Sequence, residues 1–545
     1  MALWPFLYMN MKMNNLIKYL LIIILGLALF LRVFKLDTVP PSLSWDEADV
    51  GYNAYSIANY ANDEWGNYLP LVFKSFEDDK NPVHIYATAV FVKILGLSDL
   101  SVRLPVAVFG TLNVLLIFFL GKRIFRSSWV GILAALFLAI SPYNIQFSRF
   151  NHEADFALFF FMAGLLMFLK GIEQKNYLLS LSFLSFGLGL LSYHSSKVVI
   201  PVVVLSLVVL YWRQLMHVKG YFIVGCLLIA LVLGAFLLNP ALFGTSRLKQ
   251  TQIPRSKVLE APLFKSTQSE FLGWLQVVGE RYFSHFSPEY LFVSGDKIAR
   301  HSSQGVGEFY KLDAIFLIIG FFLLLLKKDK SYATILIWAL IAPFPAAVSG
   351  GGGEVPHAAR ALFMMGGWHL IAAYGFYRTT LFIKDKRLKT LFVVVVLVTL
   401  SLMFKNYLQD YYTNYPSRSA VDWQYGMKQI VEYTNNHPIY SQVYMTAARH
   451  QPYIFFLYYL KTPLPEFLGT VVYNNEESRT YNLVNAYNHY FFGNWDTVES
   501  MPNVGVLYIL TPTEYDGLRH KLQFSIKEVI KYPNGENAFF IISAQ

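Results

Sequence analysis

Asp46 and Glu47 stand side by side just past the first long apolar stretch, and Asp49 follows them. The stretch 37–80 holds Asp37, Asp46, Glu47, Asp49, Asp63, Glu64, Glu77, Asp78 and Asp79 against only Lys74 and Lys80. Two other polar groups interrupt apolar sequence: Arg149-Phe-Asn-His152-Glu153-Ala-Asp155, and Pro356-His357-Ala-Ala-Arg360. Lys197, after Tyr193-His194, and Arg300-His301 are further candidates. Carboxylates and fixed cations in this mixture suit a transfer in which phosphate leaves. A base takes a proton from the incoming hydroxyl or amine, and positive charge steadies the departing phosphate. The carboxylates supply the base, and Lys80, Arg149, Lys197 or Arg360 the charge. Arginine matches phosphate with its planar fork, lysine as a point charge.

Plainer roles compete at each position. A charged loop is usually just solvated. Glu153 and Asp155 could serve a helix N-terminus, where acids gain about 0.3–1 kcal/mol each, but this leaves Arg149 and His152 unexplained. Arg360 could anchor at lipid headgroups, and Trp45 could be an interfacial aromatic. Asp46, Glu47, Asp79, Glu153 and Asp155 could hold a hard divalent cation through oxygen ligands, although no strict ligand spacing marks such a site.

The elements that must position these residues are apolar helices. The 545-residue chain is 55% hydrophobic and only 15% charged, where soluble domains run near 25% charged. Runs of spanning character fall near 17–36, 103–121, 128–146, 154–170, 177–193, 198–212, 220–239, 312–327, 331–348, 358–377 and 389–405, which gives eleven candidate transmembrane helices. Residues 82–97 would make a helix of only about 24 Å, short of the roughly 30 Å hydrocarbon core, and read as lying at the outer surface. Carboxylates at the bilayer centre cost roughly 2.5–3.5 kcal/mol each, so the acidic stretch lies outside it.

Basic residues at 12/18, 122–126, 170/175, 213/219, 327–330 and 378–389 all fall on one side of this arrangement. That bias makes those loops and the N-terminus cytoplasmic in a cell (plasma) membrane. The first loop (37–102), the loop 240–311 and the region from 406 onward are then extracytoplasmic. The first apolar run, with no small-residue cleavage site after it, reads as a retained signal anchor.

The net charge of +10 sits in short loops, without the basic stripe and aromatic platform of a nucleic-acid binder. Cys226 is the only cysteine, which excludes an internal disulfide or a cysteine-rich metal site. The expected fold is an all-α polytopic membrane domain over 1–405, followed by an extracytoplasmic α/β domain over 406–545. Strand-like runs in that domain lie at 442–446, 504–510 and 538–542, and helical periodicity at 419–433 and 454–460. The glycines at 350–353 read as a flexible turn.

Asp46-Glu47 after the first helix, Lys80-Asn-Pro82, Arg103-Leu-Pro105, Ser148-Arg149-x-x-x-Glu153-x-Asp155 and Pro356-His357-x-x-Arg360 occur in this order. In that order the chain resembles the C-type glycosyltransferases over roughly residues 15–405. It looks most like the dolichyl-phosphate-mannose protein mannosyltransferases and the bacterial aminoarabinose transferases of lipid A modification. The resemblance implies a polyprenyl-phosphate-linked sugar donor, an extracytoplasmic protein, lipid or glycan acceptor, and an inverting single displacement at the membrane boundary. It implies Asp46 as base, with Glu47 and Asp155 beside it in catalysis. Lys80 would contact the donor phosphate, and His357 and Arg360 would line the same cavity. Arg149, His152, Glu153, Lys197 and Arg300, from their residue types and placement, are further substrate-binding candidates. A transporter or flippase of lipid-linked sugars is the alternative, but it predicts mid-membrane charges and internal inverted repeats, which this sequence does not show.

Overall fold

The computed structural model describes residues 3–76, 79–244, 252–349, 355–474, 483–493 and 502–545. Glu77, Asp78 and the glycine turn at 350–353 lie outside the described residues. Each of the eleven apolar stretches is helical. They are α1 (Leu3–Val33), α4 (Asp99–Ile124), α5 (Ser128–Ile140) with α6 (Pro142–Phe147), α7 (Glu153–Gln174), α8 (Leu178–Leu190), α9 (Ser196–His217), α10 (Lys219–Leu238), Asp313–Leu325, Lys330–Val348, Met364–Phe382 and Lys386–Thr413. Among the described residues, seven of these are long and apolar enough to cross a membrane. The first loop holds α2 (Trp45–Tyr60) and the short α3 (Pro82–Leu95).

Helix boundaries follow local chemistry. The Ser127 side chain accepts the Val130 N–H to start α5, and Ser141 accepts that of Asn144 ahead of Pro142 to start α6. The helix Met364–Phe382 is broken near its start by Met365 and by Gly366, whose φ is +80°.

The chain divides into two compact units, each drawn from two separate stretches: Met1–Phe34 with Val106–Asp410, and Lys35–Pro105 with Tyr411–Gln545. The first unit is helical. Its helices approach closely at small residues, as a membrane bundle requires where lipid supplies no hydrophobic drive between helices. A Cβ on Gly375 would lie 2.0 Å from the Phe316 carbonyl oxygen, and one on Gly320 2.1 Å from that of Ile371.

The second unit joins α2 and α3 to a seven-stranded mixed sheet. The strands are β1 (Gln442–Thr446), β2 (Val472–Tyr473), β3 (Val484–Tyr487), β4 (Tyr490–Gly493), β5 (Val506–Leu510), β6 (Phe524–Lys531) and β7 (Asn537–Ala544). They lie in the order β2-β3-β4-β1-β5-β7-β6, with β1 parallel to both β4 and β5 and the other pairs antiparallel. Alternate residues of β5 serve opposite faces. Leu507 and Ile509 enter one core; Val506, Tyr508 and Leu510 enter another. The first of these cores also contains Val50, Tyr52, Ala54, Ile85 and Val92 from α2 and α3, alongside Tyr453–Tyr458. The acidic loop is thus built into the same fold as the C-terminal sheet.

Candidate functional site

In the second unit, Ser44 caps α2. Its hydroxyl accepts the Glu47 N–H, and the Glu47 carboxylate accepts the Ser44 N–H. Both Glu47 oxygens also take Arg103, at 2.8 Å from Nε and 3.0 Å from Nη2, and both residues are fully buried. Arg103 further donates to the carbonyls of Leu36, Pro40 and Ser42 at 3.1, 3.0 and 2.5 Å, which fixes the chain entering α2. Its guanidinium lies 5.7 Å from the Trp423 ring centre.

That frame presents Asp46 on the first turn of α2, with its side chain 45% exposed and 3.2 Å from the Lys80 ammonium. Asp49 lies one turn further along, a spacing that puts it on the same helix face. Asp49 is fully buried, 2.5 Å from Lys80 Nζ, and it accepts from Ser75 Oγ at 3.0 Å and Asn53 Nδ2 at 2.9 Å. Lys80 arrives on an antiparallel bridge to Phe73, immediately before Asn81 and Pro82 open α3. Burial alone would lower the Lys80 pKa, but Asp49 and Asp46 outweigh it and raise it. Burial lifts the Asp49 carboxyl, opposed by Lys80 and Ser75. Behind this pair Glu64 is buried. Burial and the nearby Asp49 and Asp63 push its carboxyl well above the usual range. The same burial, with Lys80 near, holds His84 down to about 3.

The first unit gathers a second polar cluster. His301 Nδ1 lies 3.2 Å from Asp296 Oδ2, which also accepts the Ala358 N–H at 2.6 Å. The His301 and His357 rings are 4.9 Å apart, and His152 is 6.3 Å from His301. His285 Nε2 accepts the His357 N–H at 3.2 Å, and its Nδ1 faces the Arg281 carbonyl at 2.9 Å. Together these contacts require neutral imidazole with the proton on Nδ1, in keeping with burial holding His285 down to about 4. Asp296, His301 and His357 offer ligand atoms within 4.8 Å of one another. Two imidazoles and a carboxylate fit a divalent transition ion such as zinc. None of the carboxylates named from the sequence as ion ligands belongs to this set. Arg360 follows on the same turn: its N–H meets His357 Nδ1 at 3.3 Å and its Nη1 meets Ser349 Oγ at 3.0 Å.

Compared with known structures, the chain is similar to ArnT from Cupriavidus metallidurans in the apo state, with a TM-score of 0.53 at 13% identity over 98% of both chains. With ArnT bound to undecaprenyl phosphate the score is 0.52 at 13% identity, covering 96% of this chain and 97% of that one. The Archaeoglobus fulgidus oligosaccharyltransferase, tethered with an acceptor peptide containing the NVT sequon, gives 0.50 at 14% identity over 96% of this chain and 74% of that chain. The fold is that of the C-type glycosyltransferases. Residues 79–237, opening at Asp79-Lys80, match the family model of dolichyl-phosphate-mannose-protein mannosyltransferase. No curated protein matches the chain by sequence.

Within this C-type fold the remaining residues named from the sequence take varied places. Arg149 is buried and donates to the Leu31 and Phe34 carbonyls at 2.6 and 2.8 Å, at the end of α1. His152 caps α7, accepting the Ala154 N–H at 3.2 Å, and Glu153 is the first residue of that helix. Asp155 is buried with Asn113 at 3.1 Å and Ser148 at 3.5 Å, beneath Gly110, where a Cβ would lie 2.1 Å from Ser148 Oγ. Lys197 meets His194 Nδ1 at 3.0 Å and the Leu242 carbonyl at 2.5 Å. The Arg300 carbonyl accepts from Gln146 at 2.7 Å. Asp79 is half-buried beside Lys80. Asp296 escaped the sequence reading, because a single acid in a long polar loop carries no spacing signal. The i, i+3 offset of Asp46 and Asp49 was the available sign of their shared face.

Proposed function

We propose that the chain is an integral-membrane glycosyltransferase that moves a sugar from a polyprenyl-phosphate donor to an acceptor on the extracytoplasmic side. One observation carries the reading: a half-exposed carboxylate, Asp46, lies 3.2 Å from a nearly buried ammonium, Lys80. These are the two charges that displacement of a phosphate-linked sugar needs. In this mechanism Asp46 accepts the proton of the acceptor nucleophile as it attacks the anomeric carbon, and the sugar inverts. Lys80 holds the phosphate oxygen that departs with the bonding electrons. Glu47, with both oxygens on Arg103, holds the start of α2 and so aims Asp46. ArnT in complex with undecaprenyl phosphate, and the match that opens at Asp79-Lys80, support a lipid-phosphate donor.

The test is turnover by purified protein in nanodiscs, supplied with undecaprenyl-phosphate-linked sugar and a cell-envelope fraction as acceptor, with released undecaprenyl phosphate measured by mass spectrometry. Asp46→Asn should lower turnover by about 10²–10⁴-fold, the usual weight of a positioned base. Wild-type turnover in that variant ends the base assignment.

A further inference from the structure

We infer that Asp49 is a positioning residue that holds the Lys80 ammonium in place while Asp46 gives it up to the donor phosphate. The inference rests on the function proposed above and deepens it. An ammonium has three protons, and among the described residues the polar partners of Lys80 are Asp49 at 2.5 Å, Ser75 Oγ at 2.8 Å and Asp46 at 3.2 Å. The arms differ in kind. Asp49 is fully buried, and its oxygens are occupied by Lys80, Ser75 and Asn53. A buried ion pair satisfied in this way is costly to open. Asp46 is 45% exposed and forms the longest arm, and an exposed ion pair is cheap to open.

An incoming phosphate oxygen therefore replaces Asp46 on Lys80 and leaves Asp49 and Ser75 undisturbed. Asp46 is then released from the ammonium at the moment the donor is seated. Two acids three residues apart in α2 thus divide the labour, one fixed and one exchangeable.

The test measures undecaprenyl phosphate affinity of the protein in nanodiscs, by calorimetry, for four single variants and one double variant. Lys80→Ala should weaken binding at least tenfold. Asp49→Asn should weaken it to a similar extent, yet add little in the Lys80→Ala background, because both act through one ammonium. Asp46→Asn should tighten binding severalfold, since it removes the competitor. Ser75→Ala keeps every charge and should weaken binding a few-fold, which keeps the inference testable if Asp49→Asn does not fold. Folded Asp49→Asn with wild-type affinity overturns the inference, and so does weakening by Asp46→Asn equal to that by Asp49→Asn. Wild-type affinity in Lys80→Ala sinks the underlying site reading itself.

Discussion

The carboxylates of α2 have divergent fates set by fractions of a turn. Glu47 is enclosed with Arg103 and three backbone carbonyls, whereas Asp46, its neighbour, faces outward. Removing one partner of a buried, hydrogen-bonded pair leaves an uncompensated charge, at a cost of about 3–5 kcal/mol. Glu47→Gln and Arg103→Met, each alone, should therefore lower the denaturation midpoint sharply. Asp46→Asn, at a half-exposed position, should change stability by no more than about 0.5 kcal/mol while turnover collapses. Thermal unfolding of the purified variants separates the two classes, and equal destabilisation by Asp46→Asn would contradict the division. The histidine cluster makes a second residue-scale prediction. Protein purified without chelator should carry about one zinc-type ion per chain by elemental mass spectrometry. That ion should be lost from His357→Ala and from His301→Ala, and its retention in both would exclude the Asp296–His301–His357 set as its ligands.

Helices and strands were legible in the sequence to very different degrees. The apolar helices were plain, because lipid demands long apolar runs; all eleven stretches became helix, and among the described residues seven are long and apolar enough to cross a membrane. The strands β1, β5 and β7 were visible as short β-branched and aromatic runs, whereas β2 and β4 are two and four residues long and gain their identity only from pairing. The Asp46–Lys80 pairing depends on the Phe73–Lys80 bridge, a tertiary return of the loop that no periodicity announces. Arg149 reads as a phosphate ligand by its chemistry, and its donation to the last carbonyls of α1 is a contact that no spacing announces. Close helix approach was equally hidden, since a glycine in an apolar run has no periodic signal of its own. At Gly375 a Cβ would sit 2.0 Å from the Phe316 oxygen, with backbone rather than a flexible side chain in the way. Gly375→Val should force apart the helices Asp313–Leu325 and Met364–Phe382 and cost about 1–3 kcal/mol or more. Detergent-solubilised yield and melting temperature check this, with Gly469→Ala, where a Cβ meets nothing within 4 Å, as the control.

At the scale of the molecule, the decisive feature is that neither unit is continuous in sequence. Composition places a boundary near 406, and the C-terminal region reads from sequence as a small α/β domain. In the structure Tyr411–Gln545 and Lys35–Pro105 form one compact unit. The union is specific. The Trp45 N–H meets Gln424 at 3.1 Å, the Tyr52 hydroxyl meets the Thr462 carbonyl at 3.0 Å, and Tyr458 OH meets Asp99 at 3.3 Å. A Cβ on Gly51 would lie 2.5 Å from the Tyr458 ring, so α2 packs at the density of a protein interior. An appended domain could be removed with its partner intact, but a shared core cannot, because the apolar faces of α2 and α3 would be left against water. Truncation after Asp410 should therefore disorder residues 35–105 and abolish undecaprenyl phosphate binding, even though it leaves Asp46, Asp49 and Lys80 in the chain. Limited proteolysis of the truncated protein in nanodiscs should cut within that stretch at sites the full-length protein protects. A truncated chain that still binds undecaprenyl phosphate and resists cleavage there would show that the acidic loop holds its shape without the sheet.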